Sequence, residues 1–115
     1  MYRSYVKQLL RGVIEPLLLY IIDELPLYGY GIAKELDRRS QGYFNLAAST
    51  LYSALRRLES RGLILSSWQQ VTYRQKRRYY ELTERGRKVL AEQLAQWQKF
   101  LSATEKVIES QQVVR

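Results

Sequence analysis

The side chains able to do chemistry in this 115-residue chain are cations and hydroxyls. Of its 19 lysines and arginines, ten fall between residues 56 and 88 against three acids there, which concentrates nearly all of a net charge of +8. The chain holds neither cysteine nor histidine. That removes disulfides, thiolate nucleophiles, most zinc and iron sites and the usual neutral-pH general base. Its eleven acids are scattered and form no paired constellation, so carboxylate catalysis has no visible seat. The chain therefore reads as a non-enzyme without catalytic residue, metal or cofactor. A basic block of this kind is either a solvated face or the footprint of a polyanion site, and its place in the fold decides between them.

The block opens within "STLYSALRRLESRGL", residues 49–63. Leu51, Leu55 and Leu58 recur at helical spacing and make one apolar stripe. The opposite side carries Ser49, Ser53, Arg56 and Ser60, with Tyr52 and Arg57 at its edges, Thr50 beside them and Glu59 as the single carboxylate. Hydroxyls and arginines led by a helix N-terminus suit base edges and phosphates of a duplex. Tyr52 has two readings, contact with DNA or half-packed core. The second basic group is Arg74, Lys76, Arg77 and Arg78, set between "LILSSWQQVTY" and "RRYYELT". Both flanks are rich in β-branched and aromatic residues, which predicts two antiparallel strands with a basic tip, although no Asn-Gly or Asp-Gly marks the turn. Such a tip either keeps a sheet edge soluble or grips phosphates.

These groups need elements to position them. A helix over 13–25 takes Pro16 in its first turn, turns Leu17, Leu18, Ile21, Ile22 and Leu25 inward, and ends at Pro26. Ahead of it, Tyr5, Val6, Leu9 and Leu10 form a short amphipathic segment, a packed terminus or a piece of a dimer interface. A second helix runs from Tyr30 to Ser40 with Ile32, Ala33 and Leu36 inward and Gly42 as a left-handed terminator. A short link, "YFNLAA", leads to the basic helix, which Gly62 stops. Two helices so joined predict a helix-turn-helix, with the hairpin as its wing; Tyr28 and Tyr30 then meet either the DNA backbone or the core.

Thr83 caps a last helix over 84–110. Leu90, Leu94, Trp97, Leu101, Thr104 and Ile108 follow a 4-3-4-3-4 spacing along it. At 1.5 Å per residue it spans about 40 Å, more than a small core covers. The remaining seam either frays or meets the same helix of a second subunit, and a homodimer is the favoured expectation. The fold class is thus mainly α with a small β-hairpin: a winged helix-turn-helix over 1–83 with an N-terminal extension, and a dimerisation helix over 84–115. With 46% hydrophobic and 26% charged residues the chain is a folded domain. Its longest apolar run, 16–27, is too short to span a membrane and is broken by Asp23 and Glu24. The start lacks a signal peptide's apolar stretch, and a cytoplasmic location is expected.

"LYGYGIAKEL", "STLYSALRRLESRGLI" and "RRYYELTERGRKVL", in this order and spacing, resemble the PadR-type winged-helix transcriptional regulators over approximately residues 12–100. The short C-terminal part is similar to the compact subfamily, in which one long helix completes the dimer. The resemblance implies a homodimer on a roughly palindromic operator, usually as a repressor. It also implies, for some compact relatives, an apolar cavity between subunits that takes flat aromatic molecules; Trp97 and Phe100 are the matching residues, with a plain interface tryptophan as the alternative. Family members often carry Ser-Pro before the recognition helix and Pro after Thr-Leu-Tyr; here Ala47, Ala48 and Ser53 stand there. The lost cap costs about 1 kcal/mol, with Asn45 near enough to offset it. Two other readings remain: an RNA-binding protein, which would spread its bases over loops and put aromatics on a sheet for stacking, and a winged helix that binds protein. A membrane-surface helix fits worst, because the basic helix has too narrow an apolar face.

Overall fold

The computed structural model describes residues 2–110, apart from the side chains of residues 2–4 and 6. The side chain of Val6, expected on the amphipathic face, and residues 111–115 of the expected dimerisation segment lie outside what is described. The elements in chain order are α1 (Tyr2–Arg11), α2 (Ile14–Glu24), β1 (Leu27–Tyr28), α3 (Gly29–Arg39), α4 (Ala48–Ser60), β2 (Ile64–Thr72), β3 (Gln75–Leu82) and α5 (Glu84–Glu109).

Helix α2 is the hub. Leu18, Leu19 and Ile22 are fully buried against Ile32 of α3 and Leu55 and Leu58 of α4, and Leu90 of α5 closes the same core. Pro16 sits in the first turn, where the missing N–H has no intrahelical partner to lose. Leu25 departs from expectation. It is 58% exposed, because the backbone there is already extended (φ −168°, ψ 144°) and swings the side chain off the buried face before Pro26. In α1, Leu10 packs on the core while Tyr5 and Leu9 stay exposed.

Helix α3 ends on Gln41 and Gly42, both at positive φ, and the Gly42 N–H returns to the Asp37 carbonyl at 2.8 Å. The link to α4 spans residues 40–47, longer than a minimal helix-turn-helix turn. Ser40 holds it closed: its hydroxyl donates to the Asp37 carbonyl and accepts the Phe44 N–H at 2.9 Å.

The sheet has three strands in the order β1-β3-β2, all antiparallel. Leu27 and Tyr28 pair with Tyr80 and Tyr79, adding an edge strand that two residues were too few to reveal through alternation. The hairpin turn is Tyr73–Arg74, flanked by the Thr72–Gln75 pair. Neither turn residue takes a positive φ, which explains the missing Asn-Gly. The register shifts at Val71 instead, and Gln70 Nε2 donates to the carbonyls of Thr72 and Tyr73 at 2.7 and 3.2 Å.

The junction into α5 accounts for the spacing of Gly-Leu-Ile and Thr-Glu-Arg-Gly. Thr83 Oγ1 accepts the Gly86 N–H at 2.9 Å and donates to the Gly62 carbonyl at 2.7 Å, while the Thr83 N–H reaches the Leu63 carbonyl. Any Cβ on Gly86 would fall on the Leu63 carbonyl oxygen, so only glycine lets α5 start this close to the wing's root.

Candidate nucleic-acid interface

Burial of Leu51, Ala54, Leu55 and Leu58 fixes the rotation of α4. Ser49, Ser53, Arg56 and Ser60 then lie opposite the core, Thr50 is exposed in the first turn, Tyr52 and Glu59 turn toward the wing, and Arg57 and Arg61 turn toward Glu15 at the start of α2. Ala47 precedes the helix with no side-chain cap, and Asn45 does not supply one. The first N–H groups of α4 are left facing outward, where an anion is the natural partner.

The six cations that the sequence singled out divide into two groups. Arg56, Arg74 and Lys76 make no hydrogen bond or ion pair among the described residues. Arg77 is half-buried with its guanidinium 4.3 Å from the centre of the Tyr28 ring, a stacked position that leaves its N–H donors unpaired. The other two are engaged. Arg57 donates to Ser53 Oγ at 3.1 Å and lies 3.7 Å from Glu15, which also takes Arg61 at 2.7 Å. Arg78 Nε donates to Ser66 Oγ at 2.8 Å and Nη2 to Glu59 at 3.3 Å, while the Ser66 hydroxyl donates to the same carboxylate at 2.7 Å. The basic stretch 74–78 is thus only partly a tip: Arg74 is in the turn, and Lys76, Arg77 and Arg78 climb β3 opposite Gln70, Gln69 and Trp68.

Between wing and helix lies an open cleft of about 350 Å³, lined by Tyr28, Gly29 and Tyr52 on one side and Trp68, Lys76, Arg77, Arg78 and Tyr80 on the other. Tyr52 is half-packed, as one of its two readings expected, and part of it stays open to solvent. Its ring rests on Gly29, where a Cβ would come within 2.7 Å of the hydroxyl, yet the residue is 41% exposed at the cleft's rim. Tyr80 forms the floor, and burial pushes its phenol above the usual range, so it stays neutral. Tyr28 is packed between Tyr79 and Arg77, while Tyr30 is exposed with Lys34 5.6 Å from its ring.

Two features escaped sequence reading. Trp68 stands 65% exposed on the cleft side of β2; its spacing of two from Ser66 and Gln70 was the available signal. The Glu59–Ser66–Arg78 triangle joins three elements and has no signal in linear order.

Along α5 the seam changes character. Leu90 is buried, Leu94 and Trp97 are half-buried, Leu101 is 44% exposed and Ile108 76%. Phe100 and Val107 are exposed beside them. Neither Trp97 nor Phe100 lines the cleft at the wing or the second one between α3 and α4. No helix among the described residues is long and apolar enough to cross a membrane.

A helical core whose basic helix α4 runs directly into a small antiparallel hairpin is a winged helix-turn-helix. The model of the PadR-like transcriptional regulator family matches residues 18–92, and the chain belongs to that family. It is 33% identical over 89 residues to a Lysinibacillus sphaericus protein, named only as an uncharacterized protein, covering 77% of this chain and 82% of that one. Among solved structures, a PadR family transcriptional regulator from Eggerthella lenta is similar at 37% identity and a TM-score of 0.82, with 95% and 93% of the two chains covered. A PadR-like regulator from Bacillus cereus gives 27% identity and a TM-score of 0.81 over 90% and 99%. The protein is accordingly a PadR-family transcriptional regulator with a winged-helix fold, and membership implies regulation through DNA.

Proposed function

We propose that two copies of this chain bind a roughly palindromic operator and repress transcription by occupying it. In this reading residues 1–83 form the DNA-binding unit and 84–115 the dimerisation helix, the two sharing one core through Leu90. Helix α4 lies in the major groove with Ser49, Thr50 and Ser53 leading and Arg56 on bases or phosphates. The wing sets Arg74, Lys76 and Arg77 over the neighbouring backbone, and the strand between the two runs along the cleft under Tyr52 and Trp68. The observation that carries the reading is that four cations without acid partners, Arg56 on α4 and Arg74, Lys76 and Arg77 on the wing, come from two elements that border one cleft.

The unpartnered half of the α5 seam supports the dimer. Leu101, Val107 and Ile108 form an apolar run that water does not favour and that a second α5 would cover.

Selection of bound duplexes from a random DNA pool with purified protein tests this. The expected product is an inverted repeat with half-site centres one helical turn, about 34 Å, or a multiple apart. Enrichment of no sequence, or preferential binding of RNA, would refute it.

A further inference from the structure

Helix α4 carries one carboxylate, and it does not face solvent freely. Glu59 turns toward the wing, where it accepts from both Ser66 of β2 and Arg78 of β3, while Ser66 also accepts from Arg78. Every side of this triangle crosses between elements. Glu59 is part-buried, its side chain 30% exposed, while the Arg78 side chain is 46% exposed and lies over it from the solvent side of β3. Arg78 is the member that lines the cleft, with its guanidinium 6.0 Å from the ring of buried Tyr80.

We propose that Glu59 is a specificity-determining residue that acts through Arg78: it withdraws one wing cation from the DNA backbone and fixes the wing's angle to α4. The inference rests on the DNA-binding reading above. Two physical consequences follow. A paired arginine releases fewer counterions on binding, so affinity for any duplex is lower than the cation count implies. Anchored at Ser66 and Arg78, the wing keeps a fixed offset from the helix it flanks, so base contacts and wing contacts are satisfied together only on the right site. Sequence-independent attraction is lowered while the operator keeps its contacts, and the ratio between them rises.

Glu59→Gln removes the charge and keeps the shape. Binding of the full chain to a random 30-bp duplex and to the selected operator is measured by fluorescence anisotropy from 50 to 300 mM KCl. The variant is expected to bind random DNA several-fold more tightly, with log K falling more steeply against log salt by about 0.9 per subunit. The operator-to-random ratio falls at least threefold. Glu59→Gln combined with Arg78→Gln restores the wild-type slope, since the pair carries no net charge. Glu59→Ala, which removes the same charge, is expected to steepen the slope by the same amount and serves if Glu59→Gln does not fold. Wild-type slope in Glu59→Gln, or in Glu59→Ala where that variant is used, overturns the inference and leaves the DNA-binding reading standing. A wild-type protein with no salt-dependent affinity for duplex overturns both.

Discussion

Arg56 and Arg57 are adjacent and identical in type, yet the structure gives them different surroundings. Arg56 points away from the core of α4 with neither hydrogen bond nor acid partner, whereas Arg57 is drawn along the helix by Ser53 and toward Glu15. Arg56→Ala should therefore remove a DNA contact in each subunit. If the guanidinium lies on phosphate, each subunit loses one released counterion and the dimer's salt slope becomes shallower by about 1.8. If it reads a base, discrimination falls by about 1–3 kcal/mol per half-site, roughly 5- to 150-fold, with less change on random duplex. Arg57→Ala should leave the slope within about 0.5 of wild type, since its guanidinium is already held by protein. Its cost is the loss of exposed pairing, about 0–1 kcal/mol of folding stability. Anisotropy titrations of both variants on operator and random DNA, beside urea melts, separate the cases. An Arg57→Ala protein that binds worse than Arg56→Ala at equal stability would refute the assigned rotation of α4.

Thr83→Val deletes a hydroxyl that caps α5 and bonds the Gly62 carbonyl; the loss is about 2 kcal/mol, or roughly 8 °C in Tm, and an unchanged melt would show that the junction is not under load. Leu101→Asp should convert a dimer to a monomer in sedimentation equilibrium at micromolar concentration, and a wild-type chain that sediments as a monomer refutes the α5 pairing. Hydrogen bonds from Arg38 and Arg39 lower the Glu35 carboxyl to about 2 from an ordinary 4.5. Because the folded value is depressed, its contribution is complete above pH 4.5 and disappears as pH falls toward 2. The stability gap between wild type and Glu35→Gln should close across that window, and a gap that stays constant down to pH 2 contradicts the pairing.

The architecture was legible wherever a periodic pattern met a cap. Leu51, Leu55 and Leu58 gave the orientation of α4, and Thr83 and Gly62 marked ends that the structure keeps. What stayed hidden depended on partners distant in sequence. Leu25 sits on the helical stripe, but the chain leaves the helix at that residue and exposes it. Strand β1 is two residues long and exists because Tyr79 and Tyr80 pair with it. The basic residues were all visible as charges, but which of them are committed within the protein was not. Arg57 finds Glu15 on another helix, and Arg78 finds Glu59 nineteen residues back. A run of cations in sequence reports total charge; only the fold shows how much of it is free.

That free charge is the quantity to measure. On the proposed reading a dimer with Arg56, Arg74, Lys76 and Arg77 available on each subunit would neutralise about eight phosphates, and log K for a 30-bp duplex should fall against log KCl with a slope near −7. A slope shallower than about −2, obtained with folded wild-type protein, would mean that the α4–wing surface does not meet a phosphate backbone.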